Sequence, residues 1–239
     1  MTRRPLIDVV RKQRADIEDP LAAIEAGEVH VDGVIVTNPN SQVRPDARIV
    51  VKPTKELKGE AKLGAGLDAF TAAVEIDSKV CVDVGASTGG FTTELLRRGA
   101  RRVYAVDVGH GQLLGTLRQD ERVVNLEGTN ASELSDELID DVVDIVTIDV
   151  SYSPLRAIVP DLTRRLRYGD APVMVALVKP MFELQAGSLP TDPHDLDRAA
   201  TSGRAALEDA GWRVDELIES PLRGNNGAIE FFIRATLRA

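Results

Sequence analysis

Four charged residues stand where this chain could do chemistry. Asp149 closes the apolar run that begins at Asp144, Lys179 closes Val173-Met-Val-Ala-Leu-Val178, and Glu230 opens the last apolar run of the chain. Lys62 opens a segment in which Leu63, Leu67, Phe70, Ala73 and Val74 recur at helical spacing. A lysine fixed at the end of a packed helix is better placed for chemistry than one on a loop. Two lysines and two carboxylates suit the handling of a proton on a weakly acidic hydroxyl. A lysine ammonium ordinarily holds its proton to about pH 10.4. A neighbouring cation or burial loosens that proton, and carboxylates tighten it. On this reading Lys179 takes the hydroxyl proton or orients the oxygen lone pair, and Asp149 positions Lys179. Lys62 shares the charge, and Glu230 hydrogen-bonds a lysine or the acceptor. Any one charged strand end is also what a solvated sheet edge produces. Their gathering on one rim, beside a glycine-rich loop, points to a site.

That loop follows the β-branched run Val80-Cys-Val-Asp-Val84 and reads Gly85-Ala-Ser-Thr-Gly-Gly90, with Phe91 and Thr92 opening a helix. It lacks the middle glycine of a dinucleotide fingerprint and the lysine of a P-loop. Asp83-Val-Gly-Ala-Ser-Thr-Gly-Gly-Phe-Thr instead resembles the S-adenosylmethionine loop of class I methyltransferases. The resemblance implies that Asp83 serves the ammonium end of that cofactor. Asp107 ends a second hydrophobic run, Val103 to Val106, where an acid suits the hydroxyls of a ribose. With a sulfonium as methyl donor and a ribose 2′-hydroxyl as acceptor, in-line placement of oxygen, methyl and sulfur supplies much of the rate.

The elements that must position these groups alternate from residue 79 onward, as in a doubly wound sheet. Strands are predicted at 80–84, 102–106, 123–126, 144–148, 172–178, 213–218 and 230–236. Helices are predicted near 92–98, 111–118, 131–139, 155–167 and 195–210. The loop with Pro221, Gly224 and Gly227 is too short for a crossover helix, so the last strand should run antiparallel. The fold class is therefore α/β, a Rossmann-like seven-stranded methyltransferase sheet with a small N-terminal α+β unit. Residues 1–52 form that unit: two short helices closed by Gly27, a strand pair turning at Asp32-Gly33, and a final strand. Residues 53–60 read as a linker and 61–239 as the catalytic domain. Lys52, Lys55, Lys58 and Lys62 recur at helical steps along this join, where they make either one basic stripe or a solvated linker.

Composition bounds the partners. The 239 residues carry a formal net charge of −9 with 43% hydrophobic residues. Residues 1–60 hold 10 Lys+Arg against 10 Asp+Glu, so the whole excess of acid falls on residues 61–239. A nucleic-acid binder usually presents a basic face, so RNA binding here must rest on local patches. No apolar run is long enough to span a membrane, no signal-type segment follows the basic start, and one cysteine, Cys81, fits a reducing cytoplasm. His30, His110 and His194 have no metal-ligand spacing, so no metal is expected.

Taken together, Lys62-Leu, the Asp83 loop, Tyr104-Ala-Val-Asp-Val-Gly, Asn130-Ala, Ile148-Asp-Val-Ser, Leu177-Val-Lys-Pro-x-Phe-Glu and Ser220-Pro-x-Arg-Gly resemble the TlyA (hemolysin A) family of FtsJ-like ribosomal RNA 2′-O-methyltransferases. The likeness covers nearly the whole chain and is strongest over 80–183. It implies a Lys-Asp-Lys-Glu catalytic set on Lys62, Asp149, Lys179 and Glu230. It places S-adenosylmethionine on Asp83, Gly85, Ala86, Ser87, Thr88, Gly89, Gly90, Phe91, Asp107, Val108, Asn130 and Asp149. It also implies an S-four-type RNA-binding domain at the front; acceptor contacts are expected at Lys55 and Lys58 of the basic join and at Arg223. The chain departs from the family pattern at Leu57-Lys-Gly-Glu60, at Leu184-Gln-Ala-Gly187 and at Gly227-Ala-Ile-Glu230, losing cations that would meet phosphates. Three functions follow: methylation of ribosomal RNA on the ribosome or a subunit, methylation of a small-molecule acceptor, or RNA binding without turnover.

Overall fold

The computed structural model describes residues 3–52 and 57–238. The chain opens with β1 (Arg4–Pro5), α1 (Leu6–Gln13), α2 (Pro20–Glu25), β2 (Val29–Val31), β3 (Val34–Ile35), β4 (Gln42–Val43) and β5 (Ile49–Val51). Asp19 caps α2 by accepting from the N–H groups of Leu21 and Ala22, ahead of Pro20 in the first turn. β2 pairs antiparallel with both β3 and β5. Between β2 and β3, Asp32 and Gly33 have φ of 51° and 91°, the left-handed pair a tight hairpin needs. Leu6, Val10, Ile24 and Val29 are fully buried here, at the heart of an apolar cluster confined to residues 6–51.

The remaining elements are α3 (Lys58–Ala69), β6 (Val80–Val84), α4 (Gly90–Arg97), β7 (Arg102–Asp107), α5 (Gly115–Arg118), β8 (Val123–Glu127), β9 (Val143–Ile148), α6 (Val159–Arg165), β10 (Tyr168–Val178), α7 (Pro180–Glu183), α8 (Pro193–Asp209), β11 (Trp212–Glu219) and β12 (Phe231–Leu237). Seven strands form one sheet in the order β11-β12-β10-β9-β6-β7-β8. β12 is antiparallel to both neighbours, and the other pairings are parallel. From β6 the chain runs outward through β7 and β8, then returns to place β9 on the other side of β6. That reversal leaves a crevice beyond the carboxyl ends of β6 and β9, the usual ligand position in such sheets.

Alternate strand residues divide between two cores. Val80, Val82 and Val84 join a cluster with Val146, Met174, Ile233 and side chains of α6 and α8. Cys81 faces the other way, with Val103, Ile145, Leu177 and Phe232, beneath α3 and α4. Asp83 has the parity of Cys81 and so lies under α4.

α3 approaches the sheet through its glycines. A Cβ at Gly66 would meet Phe232 Cδ2 at 2.6 Å, and one at Gly59 would meet Gly90 Cα at 3.2 Å. Phe232 itself packs between Phe70 and Phe91, with ring centroids 6.5 and 6.4 Å away.

All seven strands of this sheet lie where the sequence predicts them, within a few residues. The helices differ more. α3 starts at Lys58, inside the expected linker, which puts Lys62 in its second turn. It ends at Ala69, because Phe70 is already extended, and Val74 is buried from irregular chain. Of the predicted helix at 111–118 only Gly115–Arg118 forms. Gly111 is left-handed, and the N–H groups of Gln112 and Leu113 bond Glu127 instead of a helical carbonyl. The helix expected at 131–139 is a single 3₁₀ turn, Ala131–Glu133. That expected at 155–167 is broken before α6, whose second residue is Pro160.

Candidate active site

The strand ladder brings the charged residues together. β10 and β12 pair with Val178 opposite Phe231, so the next residues outward, Lys179 and Glu230, face one another across the antiparallel pair. β9 lies parallel on the other side of β10 and delivers Asp149 to the same rim. Lys179 Nζ lies 2.6 Å from Asp149 Oδ1 and donates to Ser151 Oγ at 3.1 Å. Lys62, reaching in from α3, donates to Glu230 Oε2 at 2.5 Å. Both pairs are largely sheltered: the side chains of Lys62 and Glu230 are 13% and 6% exposed, and those of Lys179 and Asp149 16% and 22%. Two lysines and two carboxylates thus form two ion pairs with no net charge.

Three cavities open around this set. The first, about 950 Å³, lies between the N-terminal sheet and the glycine loop, lined by His30, Lys52, Lys58, Gly59, Gly85, Ala86, Ser87, Thr88, Gly90, Phe91 and Asp149 among others. The second, about 270 Å³, is lined by Lys179, Glu230, Ser151, Tyr152, Phe182 and Asn225 with their neighbours. The third, about 490 Å³, runs over the ends of β6 and β7 and includes Gly85, Ser87, Asp107, Val108, Gln112, Asn130, Asp149 and Tyr152. Asp149 borders the first and third, and Ser151 and Tyr152 border the second and third.

Of the predicted cofactor residues, Gly85, Ser87, Asp107, Val108, Asn130 and Asp149 line the third cavity, whereas Ala86, Thr88, Gly90 and Phe91 line the first. Gly85, with φ of 87°, lies so close to the 149–150 backbone that an added Cβ would stand 2.5 Å from Asp149 O. Asp107 accepts from Ser87 N at 2.8 Å and Gly109 N at 2.7 Å, one bond on each oxygen. Each carboxylate oxygen keeps a second lone pair for a hydroxyl. Val108 is exposed on the same wall, and Asn130 caps the turn that closes it. Asp149 Oδ1 is buried without an aligned hydrogen-bond donor, since the Lys179 contact is an ion pair of poor direction. A cavity bordered by Gly85 and Gly109, with Asp107 on one wall and an under-satisfied carboxylate at Asp149, fits a nucleoside carrying a cationic centre.

Other residues lie elsewhere than their expected roles require. Asp83 is fully buried and borders none of these cavities. Its Oδ2 accepts from Thr92 Oγ1 at 2.7 Å and its Oδ1 from Thr147 Oγ1 at 2.9 Å. It therefore braces α4 and β9 beneath the loop rather than facing a ligand. Burial pushes its carboxyl up to about 7, against those two hydrogen bonds, and the charge of Asp149 adds to the rise. Gly89, left-handed at the start of α4, turns away toward Leu113 and Leu117. Arg223 pairs with Glu219 at 3.1 Å on the surface, outside the three cavities. Lys55 falls outside the described residues.

Several residues of the site have no signal in the sequence. Tyr152 is 88% exposed with φ of 69°, and its ring lies 5.1 Å from that of Phe182. Asn226 is also left-handed, in the turn that carries Asn225 between the first and second cavities. Only their position just beyond a strand end, or just before one, could have marked them.

Comparison with known proteins places this arrangement. The sequence model of the FtsJ-like methyltransferase family matches residues 58–236. A Mycobacterium tuberculosis protein named 16S/23S rRNA (cytidine-2′-O)-methyltransferase TlyA is 38% identical over 98% of this chain and 90% of its own length. A solved Streptococcus thermophilus chain that carries the name hemolysin superposes with a TM-score of 0.70 at 30% identity, over 99% of this chain and 89% of that one. The Methanococcus jannaschii pre-rRNA processing protein fibrillarin shares the fold, with a TM-score of 0.60 at 14% identity over 89% of this chain and 84% of that one. The chain belongs to the FtsJ-like methyltransferase family, in its TlyA (hemolysin A) group.

Proposed function

We propose that this protein methylates a ribose 2′-hydroxyl of ribosomal RNA, with S-adenosylmethionine as donor. The observation that carries the reading is the neutral pair of ion pairs, Lys179–Asp149 and Lys62–Glu230, beside the glycine loop. The acceptor follows from the M. tuberculosis relative, whose name specifies the cytidine 2′-oxygen of 16S and 23S rRNA.

The third cavity would hold the nucleoside of the cofactor, with Asp107 on the ribose hydroxyls and Val108 and Asn130 around the base. S-adenosylmethionine would supply an electrophilic methyl group, and Asp149 would border the cavity that holds it. Lys179 would fix the acceptor hydroxyl: an ammonium has three N–H donors, of which Ser151 engages one, and the ion pair with Asp149 Oδ1 aligns none of the others. Asp149 keeps Lys179 from swinging away. The hydroxyl proton would pass to a carboxylate oxygen of the set, where Asp149 Oδ1 has no aligned donor, because an ammonium has no lone pair to receive it. Lys62 and Glu230 would stabilise the charge that moves.

Tyr152, solvent-facing at the lip between two cavities, offers a flat face on which an unpaired base could stack. Lys52, Lys58 and His30 line the first cavity, where a phosphodiester backbone could pass beneath the N-terminal unit. Residues 3–52 are the RNA-binding module on this reading.

Transfer of tritiated methyl to unmodified 30S and 50S subunits and to naked rRNA tests the proposal. Label is expected in one ribose 2′-oxygen, and Lys179→Ala should lower the rate at least about 10²-fold while cofactor still binds. Normal cofactor binding with no label in any RNA would overturn it in favour of a small-molecule acceptor, as the acidic charge balance of residues 61–239 allows.

A further inference from the structure

One buried polar residue of the N-terminal unit, Thr37, meets the chain between β7 and β8. Thr37 is fully buried, and its Oγ1 donates to Leu113 O at 2.5 Å. Its N–H donates to Gly111 O at 3.3 Å, and its own carbonyl accepts from Arg118 at 2.7 Å. Gly27, beside it, comes so near Leu114 that an added Cβ would lie 2.6 Å from Leu114 Cδ2. The segment gripped in this way, 109–114, has no helix of its own. Its other contacts reach the wall of the third cavity and, through Leu114 and Thr88, that of the first. Gln112 Oε1 accepts from Ser87 Oγ at 3.1 Å, Leu114 N donates to Thr88 O at 3.3 Å, and Gly109 N donates to Asp107. Glu127 holds the same turn from β8 through the N–H groups of Gln112 and Leu113.

We infer that Thr37 is a positioning residue for the cofactor pocket: from the N-terminal unit it fixes the 109–114 segment, and through Gln112, Gly109 and Leu114 it sets the spacing of Asp107 and the Ser87–Thr88 loop. The physical reason is backbone satisfaction. Gly111 and Leu113 point carbonyls into the contact between the two units, where Thr37 supplies the donors. Without them the segment must rearrange to find other partners, and the cavity wall moves with it. The inference rests on the reading that the third cavity takes S-adenosylmethionine.

Calorimetric titration of the full chain with S-adenosylhomocysteine tests it, using Thr37→Val, Thr37→Ser, Arg118→Met and Asp107→Ala. Thr37→Val keeps the shape and removes the hydroxyl. It should raise Kd about tenfold, and the KM for the methyl donor in parallel, leaving kcat at saturating donor within about twofold. Thr37→Ser should stay within about twofold of wild type on both. Arg118→Met loosens the same contact from the other side and should raise Kd at least about threefold, so a poorly folding Thr37→Val leaves the test intact. Unchanged Kd in Thr37→Val and Arg118→Met, with binding lost in Asp107→Ala, overturns the inference alone. Wild-type affinity in Asp107→Ala overturns the cavity assignment, and the inference with it.

Discussion

The Lys62–Glu230 pair can be made to reveal whether it is a clasp or part of the chemistry. Its atoms are 2.5 Å apart, with side chains 13% and 6% exposed. Two unit charges at that distance attract by about 6–7 kcal/mol at an effective dielectric of about 20. Desolvation consumes most of this, so the pair contributes little net stability. Losing one partner is another matter, because the survivor is a buried, uncompensated charge costing about 3–5 kcal/mol. Lys62→Met and Glu230→Gln should each destabilise by that amount, lowering Tm by roughly 2–4 °C per kcal/mol for a chain of this size. In the double variant neither charge remains. Most of the loss should return, leaving the double variant within about 1 kcal/mol of wild type and the coupling energy at about 5–9 kcal/mol. Methyl transfer should behave differently. If Lys62 shares charge with Lys179 at the acceptor oxygen, the double variant stays at least about 10²-fold slow although it is stable. Urea melts and single-turnover transfer on the same preparations separate the two readouts. Recovery of rate together with stability in Lys62→Met/Glu230→Gln would refute a chemical role for Lys62. Single variants that lose under about 1 kcal/mol would refute the desolvation argument itself.

Two further substitutions test how the fold serves the site. A Cβ at Gly90 would lie 2.7 Å from Gly59 Cα and 2.9 Å from Glu60 N, whereas one at Gly59 would lie 3.2 Å from Gly90 Cα. Gly90→Ala must therefore displace the start of α3, at about 1–3 kcal/mol and a ten- to hundredfold slower transfer as Lys62 shifts. Gly59→Ala should cost less than half as much, and equal effects in melting and rate assays would contradict this reading. Asp83 gives a pH signature: the native carboxyl holds its proton to about pH 7, and the unfolded one, at its ordinary value of 3.8, does not. The unfolded state alone loses the proton between these values, so the native state is progressively penalised as pH rises from about 4 to about 7, by about 4 kcal/mol in total, and no further above that. Asp83→Asn removes the penalty, so its urea midpoint should gain on wild type over that window and level off near pH 8. A difference that does not change with pH would show that Asp83 does not keep its proton.

The strands were legible because burial on both faces writes itself as continuous apolar runs. Val80–Val84 and Val143–Ile148 begin and end within a residue of where their β-branched content predicts. The rim they reach was legible too, since a charged residue directly after such a run has one place to go. What stayed hidden depends on distant partners. The spacing of Leu113, Leu114 and Leu117 reads as helix, yet residues 111–114 take their shape from Thr37 and Glu127. α3 begins at Lys58 with no side-chain cap at Leu57, so no sequence signal marks its start. The packing of Gly59 on Gly90 fixes it instead. The resemblance of its loop puts Asp83 on the ammonium end of the cofactor. Parity with Cys81 decides otherwise, turning the carboxylate inward to two threonines. The left-handed conformations of Ser87 and Tyr152, both at the mouth of the third cavity, are written nowhere in their residue types.

The acidity of the chain and the basic chemistry of the site are reconciled by where the charges are paired. The excess of −9 arises wholly in residues 61–239, yet the lysine–carboxylate set within them is neutral. Each lysine is bound to a carboxylate from a different element: α3 to the start of β12, and the end of β10 to the end of β9. A neutral set costs less to shelter than a lone ammonium, and its dipoles are already aimed when an acceptor arrives. Such a site contributes little long-range pull on a polyanion, so phosphate affinity has to come from outside it. The described lysines at hand are Lys52 and Lys58, on the wall between the N-terminal unit and the glycine loop. Two or three such contacts release few counterions, which makes RNA binding only weakly salt-dependent, at roughly 0.7–0.9 in log affinity per contact. On the proposed reading, selection of the substrate falls to shape: how a folded RNA would fit between the N-terminal sheet and the rim on which Tyr152 stands.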